Sequence, residues 1–495
     1  KPVPLRLHFE PQADNTKATI TIPTERIMNS GLSNIKSGSN KLHFELETSS
    51  GPMNFDGTLN ENSIQGTIKQ KELQGSFEAI HLYSIDPKQY FGIYEFSSKE
   101  HLYIRTWDEL GENQLTFLDD AGGVGPLYPS TETNFYAGSG LWIALPTKAQ
   151  VIFRKDKQGN IEGLTWSETG KEPRFAIRVS SYKDEEVTFK NGDIQLSGWL
   201  VIPSSKGPHP AVVLVHGSGP VTRDFYGPLS YILAHNGIAV LSYDKRGIGK
   251  STGHWLDQSF EDLASDVLAA FNFLKTRKEI QPEKIGLFGI SQGGWIVPLA
   301  AGQSKDVAFT ILISAAGVTP AEQTLMSTEA EMRAKNLPEE QIKPVVMETK
   351  AQIDSLNSEE SRKEFEAQVE KLKSEGNQTL LNSSGLENPR FLLFYRRIMN
   401  FQTIPNLQKL NCPVLVIYGD KDRVVPVQGN REKLEKGLEK NRDTTFMVFP
   451  DGDHALLLTK TGSSQDFFYS NQFVPGFFQL MIDWIQQKTR STQIP

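Results

Sequence analysis

Five short runs of almost unbroken apolar residues constrain this chain more than any other feature. They are Ala-Val-Val-Leu-Val at 211–215, Ala-Val-Leu-Ser-Tyr at 239–243, Ile-Gly-Leu-Phe at 285–288, Phe-Thr-Ile-Leu-Ile at 309–313 and Val-Leu-Val-Ile-Tyr at 414–418. Each is too short for a helix and lacks the polar alternation of a half-solvated strand, so each reads as a strand buried on both faces. Amphipathic stretches separate them, such as 260–271, where Phe260, Leu263, Val267 and Phe271 recur at helical spacing. Strands alternating with helices imply an α/β fold, a mostly parallel sheet with helices on both faces, over residues 181–495.

One interval breaks the alternation. From about 319 to 408 the chain is rich in Glu and Lys, with Leu, Ile and Val at helical intervals and no strand-like run. It reads as a helical insertion. Both its ends leave the carboxyl edge of the sheet, where sites of such folds form, so a helical lid over the site is expected. Phe391, Leu392, Phe394 and Tyr395 are expected either to pack on the body of the domain or to line a substrate pocket.

The first 180 residues have a different texture. Alternation such as Leu42-His-Phe44-Glu-Leu46 is that of antiparallel strands, and Gly57, Gly66 and Gly75 recur at nine-residue intervals as if at the turns of a meander. Asp86-Pro87 interrupts this pattern, because proline has no N–H for a ladder and pushes its predecessor out of helix. Two small all-β segments are therefore expected, at 1–86 and 88–180. The second is rich in aromatics and suits a small barrel whose rings fill its core.

Composition narrows the function. In a chain of 495 residues, 52 Lys and Arg face 59 Asp and Glu, a net charge of −7, so no general positive field exists to hold nucleic acid. No run of about eighteen apolar residues occurs, so no membrane-spanning helix is expected. Cys412 is the single cysteine, which leaves no intrachain disulfide and no thiolate cluster for a metal. A start at Lys1 rather than Met leads to the expectation of an exported protein.

The sharpest motif is Gly289-Ile-Ser291-Gln-Gly293, in which a buried strand runs straight into a G-x-S-x-G turn and then an apolar helix. Such a turn holds serine in a strained conformation with its hydroxyl above the sheet, and flanking glycines remove the side chains that would collide. Gly249-Lys-Ser251-Thr-Gly253 has the same spacing but leads into loop, so it lacks the elbow. A nucleophilic serine needs a base and a group to orient it. In the chain order of this sheet type the base follows the serine, and of nine histidines only His454 does. The acid should end another strand, and Asp420 and Asp422 both stand just after Val-Leu-Val-Ile-Tyr-Gly419. Donors for an oxyanion come from the Ser218 N–H in His216-Gly-Ser-Gly-Pro220 and the Gln292 N–H after the nucleophile.

These motifs lie in one order: the His216–Pro220 loop, Asp244-x-Arg246-Gly247-x-Gly249-x-Ser251, the Ser291 elbow, Gly419-x-x-Asp422 and a late histidine. In that respect residues 185–495 resemble the α/β-hydrolase superfamily, and within it bacterial carboxylesterases of the esterase D group that carry an extra N-terminal β region. The resemblance implies Asp422 as the acid. It also implies hydrolysis of a small-molecule carboxylic ester, small or medium in its acyl part, through an acyl-enzyme, with no cofactor and no metal. A serine peptidase of the same fold is the alternative, and a non-catalytic binding protein on a hydrolase scaffold is the alternative of another class.

Overall fold

The computed structural model describes residues 3–10, 16–25, 27–97, 99–111, 113–364, 367 and 388–490. Its centre is an eight-stranded sheet that opens with an antiparallel hairpin, Tyr182–Asn191 and Ile194–Pro203, on one edge. The parallel strands follow in the order Ala239–Tyr243, His209–Val215, Ile280–Ile290, Thr310–Ile313, Val414–Gly419 and Thr444–Phe449. Every apolar run read from the sequence is in this sheet, and all six residues of Val414–Gly419 are buried, as a strand covered on both faces requires. Helix Phe260–Lys275 buries Phe260, Leu263, Val267 and Phe271, and a reciprocal capping box between Ser259 and Asp262 starts it.

The aromatic-rich segment forms a closed antiparallel barrel of eight strands from Gly92–Ser97 to Arg174–Val179, the last pairing with the first. Along Ala149–Lys155 buried and exposed residues alternate, the period-two signature of a strand with one face inward. Rings fill the interior: Phe153 lies 4.8 Å from Tyr90 and 4.9 Å from Phe135. The barrel is therefore solid rather than a ligand cup. Its apolar interior is continuous with one face of the central sheet, in a single core that reaches Phe288, Phe477 and Ile485.

Arg105, on the barrel strand Glu100–Thr106, anchors the docking. Its guanidinium is almost wholly buried, donates to Asp184 Oδ2 at 2.6 Å and Tyr231 Oη at 2.8 Å, and pairs with Asp224 at 3.2 Å. A buried guanidinium held at Nε and Nη1 by three partners, with Nη2 unpaired among the described residues, holds the barrel in one orientation.

The N-terminal strands form a three-stranded and a five-stranded sheet around a small core of their own, in which Phe44 stacks on Phe55 at 4.7 Å. Here one expectation is corrected. Gly57, Gly66 and Gly75 are not at turns but inside strands, and Gly57 pairs with Gly66. The reason is steric: a Cβ at Gly66 would stand 2.7 Å from the Phe77 ring, which lies across the two strands.

The insertion is helical where described, with Pro320–Ala334, Glu339–Ser355, Pro389–Ile398 and Ile404–Leu407. Residues 365–366 and 368–387 of it lie outside the described residues. No described helix is long and apolar enough to cross a membrane.

Candidate active site

The elbow is built as its glycines demand. Ser291 has φ of 56°, a left-handed conformation that costs a side-chain-bearing residue about 1–3 kcal/mol and persists only where its surroundings enforce it. The enforcement is visible in the packing. A Cβ on Gly289 would fall 2.5 Å from Gly293 O, and one on Gly293 would fall 2.7 Å from Val215 O. Helix Gly293–Ala301 can start against the neighbouring strand only because both positions lack side chains. The second G-x-S-x-G is structural: Ser251 Oγ donates to Asp244 O at 2.8 Å and accepts from Ser197 N–H, wholly inside the protein.

His454 follows strand Thr444–Phe449, and its loop is tied down from two sides. Ser314 Oγ donates to His454 O at 2.8 Å, and Asp453 Oδ1 accepts from the N–H groups of Ala455 and Leu457 at 2.8 and 2.9 Å. The ring Nδ1 lies 2.9 Å from Asp422 Oδ2, while Asp422 Oδ1 accepts from Val424 N–H at 2.9 Å and Val425 N–H at 2.7 Å. Asp422 is fully buried with both oxygens engaged, whereas Asp420 is exposed. Of the two candidate acids, only Asp422 meets the histidine. Burial works to lower the basicity of His454, but the charge and hydrogen bond of Asp422, followed by the charges of Asp453 and Glu109, outweigh it and hold the pKa above 6.5.

Ser291 and His454 line one cavity of about 440 Å³, a size suited to a small ligand. Ser291 Oγ makes no hydrogen bond among the described residues, so its hydroxyl is free to turn toward that space. Gly217 and Ser218 line the same cavity, and the Cβ of Ser291 is 3.6 Å from where a Gly217 side chain would begin. Among the described residues, neither the Ser218 nor the Gln292 N–H is taken by a backbone carbonyl.

The rest of the cavity wall was not foreseen from the sequence. Trp107, Glu109, Leu118 and Val124 of the barrel segment form one side, facing Phe288, Phe477 and Phe478 of the sheet domain. Among the described residues, none from 319–408 lines the cavity, and residues 365–366 and 368–387 of the expected lid lie outside the described residues. Phe394 is instead buried against Trp255, rings 5.1 Å apart, and Phe391 packs on the same core. Among the described residues, the insertion meets the cavity rim where Glu331 accepts from Ser464 N–H and Oγ, and Gln323 donates to Val424 O.

Lys245 also escaped sequence reasoning. Among the described residues it is buried without a carboxylate partner, and its ammonium donates to Gly217 O at 2.7 Å, Gly219 O at 3.1 Å and Gln292 Oε1 at 3.0 Å. It thus ties the Ser218 loop to the elbow, and burial pulls its pKa down to about 7. Its only signal was a lysine between Asp244 and Arg246 at the end of a buried strand. His216 braces the same loop, its Nε2–H donating to Tyr243 O at 2.9 Å. Burial, and then the charge of Lys245, bring its pKa down to about 3, so it stays neutral.

Among the described residues, no cluster of three or more His, Cys, Asp or Glu is arranged to hold a metal.

Comparison with known proteins agrees with this architecture. The family Hydrolase_4, described as serine aminopeptidase, S33, matches residues 206–460. The chain is 27% identical over 319 residues to esterase EstD of Thermotoga maritima, covering 62% of this chain and 69% of that protein. It is 26% identical over 297 residues to the uncharacterized protein YfhR of Salmonella typhi, covering 57% of this chain and 82% of that one. Among solved structures, the Pyrococcus furiosus esterase PF2001 is similar at 20% identity and a TM-score of 0.37, over 55% of this chain and 82% of that one.

Proposed function

Since the chain belongs to the Hydrolase_4 family (serine aminopeptidase, S33) and is an α/β-hydrolase of esterase type, we propose that it hydrolyses carboxylic esters of small or medium acyl chains through a covalent acyl-enzyme. The observation that carries this reading is the convergence of a strained Ser291 and an Asp422-bound His454 on one apolar cavity. Ser291 Oγ attacks the acyl carbonyl carbon as His454 Nε2 takes its proton. Asp422 holds Nδ1–H and offsets the charge of the imidazolium. The oxyanion accepts from the N–H groups of Ser218 and Gln292, at the positive end of helix Gly293–Ala301. The C–O bond then breaks, and His454 returns the proton to the leaving alcohol. Water, deprotonated by the same imidazole, releases the acid and restores Ser291. Lys245 holds the two donor segments in register, and the helical insertion buttresses the cavity rim rather than closing over it.

A fluorophosphonate probe with a panel of p-nitrophenyl esters and aminoacyl anilides tests the reading. Labelling should be stoichiometric, ester cleavage should dominate, and Ser291→Ala should remove both activities by several orders of magnitude while Ser251→Ala retains them. Labelling that persists in Ser291→Ala would move the nucleophile elsewhere. Faster anilide than ester cleavage would make the protein a peptidase, and absence of labelling would make it a binding protein.

A further inference from the structure

Among the described residues, the cavity beside Ser291 is lined by two acidic residues besides the histidine, and by no lysine or arginine. The two carboxyl groups differ in employment. Asp453 is committed to its own loop, where Oδ1 accepts two backbone N–H groups. Glu109 makes no hydrogen bond and no salt bridge among the described residues, feels the charge of His454, and is exposed in a wall otherwise built of Trp107, Leu118 and Val124.

Its placement is rigid. Glu109 is the middle residue of the single 3₁₀ turn Asp108–Leu110. Asp108 N–H donates to Asp224 O at 3.4 Å, and Asp108 Oδ2 accepts from Thr222 N–H at 3.3 Å and from the Thr222 hydroxyl. Leu110 is buried, and its carbonyl accepts from Arg6 Nη2 at 2.7 Å. The turn is thus pinned from both sides and carries the Glu109 side chain into the cavity, close enough to His454 for the charges to act on each other. Protein crowded around the cavity pushes the Glu109 carboxyl up to about 7, against the opposing pull of the His454 charge.

Glu109 is exposed in an otherwise largely apolar cavity, so its carboxylate can pair with a cationic ligand group while the aromatic wall accommodates the methylenes of that group. We propose that Glu109 is a cation subsite of this cavity, selecting esters whose apolar acyl chain ends in an alkylammonium group. The inference rests on the ester-hydrolase reading and adds its substrate class. Lone negative charge on the wall disfavours an anionic chain end for the same reason.

The test compares two isosteric p-nitrophenyl esters, 6-(trimethylammonio)hexanoate and 7,7-dimethyloctanoate, which differ in charge but scarcely in shape. Wild-type kcat/KM should favour the cationic ester by about tenfold, and Glu109→Gln, nearly isosteric, should bring the ratio close to one. A change in His454 basicity affects both esters alike and cancels in the ratio. An equal ratio in wild type and Glu109→Gln overturns the subsite while leaving the hydrolase reading intact. If neither ester is cleaved in a Ser291-dependent manner, the hydrolase reading falls, and thermal unfolding with hexyltrimethylammonium against hexanol still decides the subsite. A larger Tm rise with the cation, lost in Glu109→Gln, supports it; equal shifts overturn it.

Discussion

The barrel segment and the helical insertion both come near the cavity, yet among the described residues the barrel segment lines its wall and the insertion does not. The barrel shares one continuous apolar core with the sheet and is keyed in place by buried Arg105. The insertion has a small core of its own around Ile353, Leu356 and Met399, and meets the cavity rim through polar contacts such as Glu331 with Ser464. An element shapes a site through the apolar surface it buries beside that site, and where the chain enters or leaves the sheet does not decide it. A region that precedes the nucleophile by more than 160 residues has therefore become part of the substrate space.

Breaking the barrel's anchor should have the largest effect. Arg105→Met leaves Asp184 and Asp224 without their shared cation, an expected loss of about 3–5 kcal/mol in denaturant unfolding, with ester kcat/KM falling as the cavity wall shifts. Unchanged stability would show that the ion cluster does not hold the barrel. On the insertion side, Phe394→Ala should cost about 3 kcal/mol by opening space beside Trp255. Its acyl-chain-length profile should match the wild type, and an altered profile would return the insertion to the pocket.

A smaller effect in energy is more telling in specificity. Leu118→Trp on the barrel should lower kcat/KM for octanoate relative to acetate esters by about tenfold, because the larger ring occupies acyl space. Loss in equal measure for both esters would mean that Leu118 lies outside the acyl path.

The subtlest comparison is in pH. As the proposed base, His454 works only when neutral, and its pKa is held above 6.5, so kcat/KM should fall as pH drops through that raised value. Glu109→Gln removes one of the charges that raise it, so the acid limb for a neutral ester should move to lower pH, whereas Glu331→Gln on the insertion should leave it in place. A stationary limb in Glu109→Gln would disconnect the barrel from the base. The same raised pKa contributes stability below the unfolded value that is lost as pH rises through the folded one.

What was legible in the sequence was whatever local sterics and periodicity encode. Gly289 and Gly293 declare the elbow because no Cβ fits there, and His454 follows from chain order once Ser291 is placed. The buried strands declare themselves by unbroken apolarity, and the barrel by its alternating aromatics. The choice between Asp420 and Asp422 was not open to local reasoning, since both follow the same strand and only the turn geometry buries one of them against the histidine. Nor was the spacing of Gly57, Gly66 and Gly75 enough to tell a turn from a position inside a strand, where Gly57 and Gly66 lie under the Phe77 ring. Lys245, Trp107 and Glu109 carry no local pattern at all, and Phe394 shows the same helical spacing whether it faces a core or a cavity. Sequence by itself determined the backbone conformations and the order of the chemistry, because these depend on neighbours along the chain. Tertiary structure alone decided which distant surfaces close around Ser291, because that depends on how preformed units bury their apolar faces and pair their charges across more than a hundred intervening residues.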